Sequence, residues 1–594
     1  MINNLVLDNI MDYVNSPKDV KHLSLPKLNQ LADEIRKTLI NKINETGGHM
    51  GSNLGIIELS IALHYVFNSP VDKIVFDVSH QSYTHKILTG RKENYSNPHK
   101  YNNISGFTDP IESAHDQFKV GHTSTSVSLA TGLVKARDIC GRKENVVAII
   151  GDGSLSGGEA FEGLNNAALL KSNLIIIVND NERSIAENVG GLYDNLAELR
   201  ETKGLSKNNF FKTLGFDYRY LENGNNIEEL IDTLEDVKDI NHPIVVHIHT
   251  LKAKGLKQAI LNQEKYHSMS AHLLDAEESS NTNKYVENYF TDTTDFILEK
   301  LKNDNRIVVI NPAAPGGIGF TQEFRAKLSN HYVDVGIAEQ HAVSYAAALA
   351  KGGAKPILAM QSSFAQRAYD QVSQDFAMNN LPATILLYRT GLTSLDATHV
   401  GCYDIPLFSN IPNLVYLAPT HKEEYLKMLD WSIEQDKYPV VIRVPMGKYL
   451  KTGVKDKTDY NILNKYKIIE KGSDVAILPV GNFFELGLKV RELLKEHDIY
   501  TTLINPRFIS DLDRNILNGL KKNHKLVLTI EDGSLDGGFG EKIARFYGDS
   551  DMKVLNFGAK KEFYSRIPLS KSYEDNRLTP KQIVEDVINT LKGF

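Results

Sequence analysis

Cysteine is nearly missing: Cys140 and Cys402 are the only two among 594 residues. So few thiols, so far apart, exclude a disulfide framework and a cysteine-rich metal site, and they fit a reducing cytoplasm. Long apolar runs are absent as well. None approaches the roughly 18–20 residues that a membrane helix needs. The stretch Met1 to Val20 mixes Asn, Asp and Lys with apolar residues and has no signal-peptide core. The sequence therefore predicts a soluble, cytoplasmic protein. Charge of one sign is not in excess either. A net charge of −7 makes no case for nucleic acid or an anionic membrane as partner.

What is present is ordinary for a globular chain, 41% apolar and 24% charged. The length exceeds what one hydrophobic core organises, so two to four domains are expected. No fixed-period repeat and no long low-complexity tract occurs. Three α/β blocks follow one another, expected at 1–280, 281–457 and 458–594. The first closes with the strand-like run Pro243–His249, and the polar stretch Leu261 to Lys284 reads as a linker. In the second, strands are predicted at Arg306–Ile310, Pro356–Ala359, Ala383–Tyr388 and Leu414–Leu417, with helices over Val343–Leu349 and Phe364–Phe376. The third carries apolar runs at Asp474–Val480, Thr501–Asn505, Lys525–Ile530 and Lys553–Phe557. Strands spaced by helical segments imply parallel sheets with helices on both faces, so the fold class is α/β in three domains.

The richest local signal lies in the first block. The apolar run Asn145–Ile150 leads into Gly151-Asp152-Gly153, a small-residue helical segment follows, and a second run, Leu174–Val178, ends in Asn179-Asp180-Asn181. Such a strand–helix–strand unit puts polar groups at the carboxyl ends of neighbouring parallel strands, where open sheets bind ligands. The Asp152 carboxylate and the Asn181 amide oxygen suit Mg²⁺, which takes few protein oxygens and fills its octahedron with phosphate and water. The glycines admit a diphosphate close to the backbone. Together these features point to thiamine diphosphate. That cofactor also needs a carboxyl group on its aminopyrimidine, and Asp334-Val-Gly-Ile-Ala-Glu339-Gln-His341 supplies Glu339 where a short strand enters an Ala-rich helix. A glutamate there would otherwise serve the helix dipole.

With further motifs the chain resembles the 1-deoxy-D-xylulose-5-phosphate synthase family, within the transketolase-like thiamine diphosphate enzymes. The resemblance rests on His49-Met-Gly-Ser52, Leu63-His-Tyr-Val66, Asp77-Val-Ser-His80-Gln81, His85-Lys-Ile-Leu-Thr-Gly-Arg91, Gly121-His-Thr-Ser-Thr-Ser126, Ser184-Ile-Ala-Glu-Asn-Val189, Ile337-Ala-Glu-Gln-His-Ala-Val343, Gln366-Arg-Ala-Tyr-Asp-Gln-Val372 and Glu531-Asp-Gly-Ser-Leu-Asp-Gly-Gly-Phe-Gly540. It implies two thiamine-diphosphate-binding folds and a transketolase-type C-terminal domain. The implied reaction is decarboxylation of pyruvate and joining of its remaining two carbons to D-glyceraldehyde 3-phosphate. The product, 1-deoxy-D-xylulose 5-phosphate, is a precursor of isoprenoids, thiamine and pyridoxal. A homodimer with both halves of the site on one chain is also implied.

Residue roles follow from the same resemblance. Mg²⁺ falls to Asp152, Asn181 and the carbonyl of Arg183. The cofactor falls to His80, Gly121, His122, Thr123, Gly153, Ser154, Asn181, Ile337, Glu339 and Phe364, the last as a ring for the pyrimidine. Glu339, His49, His80, His399 and Asp396 are the catalytic candidates, imidazole being suited to proton transfer near neutral pH. His267 is a further active-site histidine, and His341 orients Glu339 or meets a partner subunit. Arg389, Ser52, Tyr369 and Lys448 are assigned to substrate.

Departures from the family pattern gather around the acceptor. The family holds the acceptor phosphate with two arginines; Arg389 fits one, and Met446 stands where the other is expected. Methionine cannot neutralise a phosphate, and Lys448 would replace the fork with a point charge. Arg443 is expected in the strand. Gln361 stands for a tyrosine, Ser79 for a glycine, Arg183 for a methionine, and the segment Ala197 to Phe210 is short. Three alternatives remain: a paralogue joining pyruvate to another aldehyde, a transketolase moving a ketol unit, or a cofactor-binding protein without turnover.

Overall fold

The computed structural model describes residues 9–278, 286–446 and 448–593. The expected junction at 280/281 lies outside the described residues. The chain divides into two compact units, Met1–Lys284 with Gly336–Ala338, and Tyr285–Val335 with Glu339–Phe594.

The first unit is built on one sheet of five strands: β1 (Lys73–Phe76), β2 (Val146–Gly151), β3 (Leu174–Asp180), β4 (Asp217–Leu221) and β5 (Pro243–His249). Their order is β1-β2-β3-β5-β4, and every pairing is parallel. Successive side chains of β2 face opposite ways. Val147 and Ile149 join Leu59, Leu63 and Phe67 on one face, while Val146, Ala148 and Ile150 meet Val127, Val134 and Leu164 on the other. Both faces are thus covered by helices, which is why the strands read as unbroken apolar runs. The helix Gly158–Ala167 carries the chain from β2 to β3.

The stretch expected to be a linker is instead part of this unit as far as it is described. Tyr266 and Met269 enter the same core as the helix Leu25–Thr46, and Met269 exchanges two backbone hydrogen bonds with Gly48, at 3.0 and 2.9 Å. Polar composition suggested a linker, but two buried side chains at the right positions anchor the segment.

The second unit holds two sheets. Its first contains β6 (Ile307–Asn311), β7 (Tyr332–Asp334), β8 (Lys355–Gln361), β9 (Thr384–Tyr388), β10 (Val415–Leu417) and β11 (Val440–Arg443), ordered β10-β11-β9-β8-β6-β7 and wholly parallel. The other contains β12 (Lys467–Glu470), β13 (Asp474–Pro479), β14 (Thr502–Asn505), β15 (His524–Ser534) and β16 (Lys553–Ala559), ordered β12-β14-β13-β15-β16. Only β12 runs antiparallel, against β14. It is an exposed edge strand carrying Lys and Glu at its ends, a composition that discourages further pairing. One continuous core joins the two sheets, from Ile310 and Leu358 to Leu478 and Val527. The α/β class with largely parallel sheets is therefore present in full. The predicted helix over Phe364–Phe376 is broken into short pieces, α over Ser362–Ala365, 3₁₀ over Gln366–Ala368 and π over Val372–Ala377. Ala368 interrupts it at φ −108° and ψ 17°.

Candidate active site

In the first unit β2 and β3 pair in register, Gly151 opposite Asn179, so Asp152 and Asn181 emerge at adjacent carboxyl ends. The chain leaves β2 as a 3₁₀ turn, Asp152–Ser156. Asp152 is buried, and its Oδ2 accepts a 2.6 Å hydrogen bond from the Asn188 amide. Its backbone carbonyl accepts from the Tyr193 hydroxyl at 3.1 Å. Burial, and then the charge of Asp180, raise the Asp152 pKa. Asn181 Oδ1 is buried without a hydrogen-bond partner. A buried carboxylate and an orphaned amide oxygen at neighbouring strand ends suit a hard, oxygen-seeking cation such as Mg²⁺. Among the described residues no three His, Cys, Asp or Glu converge on a metal position. The Arg183 side chain turns to Glu187, at 2.9 Å.

The glycines here make room for close packing. A β-carbon on Gly153 would lie 2.9 Å from Ser184 Cβ, and one on Gly157 would overlap Ser124 Oγ. Ser124 belongs to the Gly121–Ser126 loop, which Asp77 holds by accepting the backbone N–H groups of Ser124 (2.8 Å) and Ser126 (3.0 Å). The Ser124 hydroxyl donates to the Ser154 carbonyl at 2.8 Å. Ser124 thereby ties the loop that bears Gly121, His122 and Thr123 to the turn that carries Gly153 and Ser154. Ser79, at a family glycine position, adopts φ +67°. Its hydroxyl accepts from Thr108 N–H (2.9 Å) and donates to the Val120 carbonyl (3.1 Å), which offsets the strain.

Three histidines converge beside one another. Ring centroids lie 4.9 Å apart for His49 and His80, 5.4 Å for His80 and His267, and 5.8 Å for His49 and His267. The Asn53 amide donates to the carbonyls of His49 (2.7 Å) and His80 (2.8 Å), and His80 Nε2 meets Ser52 Oγ at 2.9 Å. Burial pulls His49 down to about 4. His267 is held well below its usual range by burial, then by the charges of Lys252, His80 and His49. Both are neutral imidazoles at pH 7, able to accept or donate a hydrogen bond to a polar ligand.

Gly336–Ala338 group with the first unit, where Ile337 N–H donates to Ser156 Oγ at 2.9 Å. Glu339 opens the helix Glu339–Lys351 of the second unit. It is 4% exposed, its Oε2 has no partner, and burial raises its pKa against the opposing charge of Arg367. A carboxyl group so placed is biased toward the protonated form, ready to share its proton with a basic ring nitrogen. His341 lies exposed on the same helix, its ring 5.7 Å from Tyr345.

The remaining candidates of this unit cluster near the carboxyl ends of β8 and β9. Phe364 meets the His399 ring edge-on at 5.6 Å. Asp396 is buried, accepts from Thr398 N–H and the Ser565 hydroxyl, both at 3.3 Å, and caps the turn bearing His399. His399 Nδ1 lies 2.8 Å from Thr398 Oγ1. Arg389 follows β9 at φ +54°, half-buried, with no ion-pair or hydrogen-bond partner for its guanidinium among the described residues. Burial alone lowers its pKa. Two substrate candidates are exposed: Tyr369 has its hydroxyl on Asn410 (3.0 Å), and Lys448 is paired with Glu485 (2.9 Å). Arg443 lies in β11, locked between Asp404 (2.7 Å) and Asp532 (2.8 Å). Met446 N–H donates to Asn482 Oδ1 at 2.8 Å.

Comparison with known proteins covers nearly the whole chain. Residues 11–209 and 200–250 match the family model described as 1-deoxy-D-xylulose-5-phosphate synthase. Residues 290–451 match the pyrimidine binding domain of transketolase, and 464–583 its C-terminal domain. A protein of Syntrophomonas wolfei named 1-deoxy-D-xylulose-5-phosphate synthase is 37% identical over 98% of this chain and 97% of its own length. One of the same name from Halothermothrix orenii is 38% identical over the same shares. The chain belongs to the 1-deoxy-D-xylulose-5-phosphate synthase family. Among solved structures, a transketolase from Campylobacter jejuni aligns at 17% identity over 96% of this chain and 100% of its own, with a TM-score of 0.42.

Within this family member, three side chains at the site escaped the motif reading. Lys252 is buried, donates to the Ser184 carbonyl, and is lowered to about 8 by burial although Asp152 opposes the shift. Asn188 and Arg200 also act here, the first on Asp152 and the second on Asp180. Asn188 stood inside a quoted motif with no role assigned to it, but Lys252 and Arg200 are 68 and 20 positions from their partners, Ser184 and Asp180, and nothing local marks them.

Proposed function

We propose that this protein is a thiamine-diphosphate-dependent transferase that decarboxylates pyruvate and joins the remaining two carbons to D-glyceraldehyde 3-phosphate, giving 1-deoxy-D-xylulose 5-phosphate and CO₂. The observation that carries the reading is the buried Asp152 carboxylate next to the unpartnered Asn181 Oδ1, at adjacent strand ends and under a glycine-lined turn. Mg²⁺ would be held by Asp152, Asn181 and the Arg183 carbonyl. Gly121, His122, Thr123, Gly153 and Ser154 would hold the diphosphate end, and Ile337, Glu339 and Phe364 the pyrimidine.

When bound, the cofactor supplies the electron sink for loss of CO₂ from a 2-oxo acid. The protein's own part is positioning and proton movement. Glu339, its pKa raised by burial and its Oε2 unpartnered, would share a proton with a ring nitrogen. His49, His80 and His267 can hydrogen-bond the carboxylate and carbonyl oxygens of pyruvate. His399, oriented by Thr398 and so by Asp396, can give a proton to the aldehyde oxygen as the new bond forms. Arg389 attracts the acceptor's anionic end. A cytoplasmic homodimer belongs to the same reading, and sedimentation tests its dimeric state.

The expected result is CO₂ release from pyruvate, strongly promoted by D-glyceraldehyde 3-phosphate. Xylulose 5-phosphate turnover without pyruvate would instead support ketol transfer. The Met446→Arg variant adds a second guanidinium near the acceptor and should lower KM for the phosphorylated aldehyde by about tenfold, the scale of one charge-assisted hydrogen bond.

A further inference from the structure

His49 and His80 both lie outside regular elements that would orient them. His49 is the residue before the helix Met50–Gly55, and His80 stands in the loop after β1. The chain reaches His49 through Gly47 and Gly48, at φ +76° and +139°, and His80 through Val78 and Ser79, at φ +56° and +67°. Backbone of this kind is maintained by the contacts around it rather than by its own preference.

The contact that joins the two segments is one side chain. Asn53, 0% exposed, donates from Nδ2 to the His49 carbonyl at 2.7 Å and to the His80 carbonyl at 2.8 Å. Its Oδ1 accepts the backbone N–H of Tyr83 at 3.0 Å. Both hydrogens of the amide are therefore committed to the histidine-bearing main chains, and the oxygen fixes the far end of the second one. Ser52, the preceding residue, meets Nε2 of the His80 ring at 2.9 Å. Backbone and ring of His80 are thus held by neighbouring residues of one short helix. The resulting separation of the His49 and His80 ring centroids is 4.9 Å. All of these residues belong to the first unit.

We infer that Asn53 is a positioning residue: by bridging two main-chain carbonyls it sets the spacing at which His49 and His80 meet the carboxylate and carbonyl oxygens of a 2-oxo acid. The inference rests on the pyruvate chemistry proposed above and deepens it. Hydrogen bonds from two imidazoles to one small substrate depend steeply on where the rings stand, and a misplacement of about 1 Å can lower a rate about a hundredfold. No other side-chain type of this size offers two donors and an acceptor without charge.

The test separates placement from folding. Asn53→Asp keeps the shape and the acceptor for Tyr83 but turns an oxygen toward two carbonyls, whereas Asn53→Ser keeps a donor for one of them. With Mg²⁺ and thiamine diphosphate, CO₂ release from pyruvate is referred to chains with bound cofactor, so that a smaller folded fraction cancels. Asn53→Asp should lower kcat/KM for pyruvate about a hundredfold and Asn53→Ser about tenfold. In a His80→Ala background each should cost less than about threefold more, because the pair whose spacing it sets is gone. In the full chain carrying ring-labelled histidine, both variants should displace the His49 and His80 NMR signals and leave those of His64 and His247 in place. The inference is overturned if the Asn53 losses keep their full size in the His80→Ala background, if both variants retain the original kcat/KM, or if the His49 and His80 signals do not move. Should pyruvate never be consumed while those two signals are displaced as described, the carboligation reading fails and the placement of both histidines by Asn53 stands.

Discussion

Single atoms decide which residues the turn after β2 can hold. Gly157 has no room for a side chain because Ser124 Oγ occupies the space, and Ser124 itself sits at φ +76°. Gly157→Ala should therefore destabilise the protein by about 1–3 kcal/mol, the usual range for overpacking. Adding Ser124→Gly removes the obstructing hydroxyl and suits the left-handed backbone. The double variant should recover most of the loss in thermal midpoint. A double variant no better than the single would mean that the Ser124 contact is not what excludes alanine. Residues of this kind were partly legible in advance: Gly-Asp-Gly announced a tight turn, but only the folded loop shows what presses on Gly157.

Between elements, the first unit is tied together by a buried polar chain. His64 Nε2 meets His85 Nδ1 at 2.9 Å, His85 Nε2 meets Asp116 Oδ1 at 2.9 Å, and Arg91 reaches both Asp116 oxygens, at 2.7 and 2.8 Å. These contacts join the helix Ile57–Val66, the segment from Tyr83 to Arg91 and the loop before Gly121. Burial lowers His64 and His85; burial pushes Asp116 up, but Arg91 and His85 outweigh it and hold it low. A histidine depressed in the folded state binds fewer protons there than when unfolded. Its stabilisation is whole above an unfolded pKa near 6.5 and declines as pH falls below that. Each of these two can remove up to about 1.4 kcal/mol per pH unit. Asp116 acts only lower, below about 3.9, where the unfolded carboxyl group protonates. The thermal midpoint should fall from pH 7 to pH 5 and fall more steeply beneath pH 4. A midpoint flat between 7 and 5 would contradict the neutral buried pair. The motif His85–Arg91 was visible in the sequence, while its partner Asp116 was not.

For the molecule as a whole, ligand binding and stability are linked. If Mg²⁺ and thiamine diphosphate bind the folded chain alone, concentrations about 100 times Kd should add about 2.7 kcal/mol of stability. That gain should appear as a raised thermal midpoint and vanish in Asp152→Asn, which lacks the carboxylate charge. An Asp152→Asn protein stabilised as well as the original would remove Asp152 from the metal site. The comparison needs no turnover, so it stands apart from any question about the acceptor.

The sequence by itself determined the parallel α/β architecture, because strands buried on both faces must be continuous apolar runs, as at Val146–Gly151 and Leu174–Asp180. It also marked Asp152, Asn181 and Glu339, whose residue types and turns carry local signatures. Tertiary structure alone decided the rest. Tyr266 and Met269 turned a polar stretch into part of a core, Ala368 broke an expected helix, and Asn53 joined His49 to His80. Those outcomes depend on which distant groups share one space, and a burial or a missing partner exists only once the chain has closed around it.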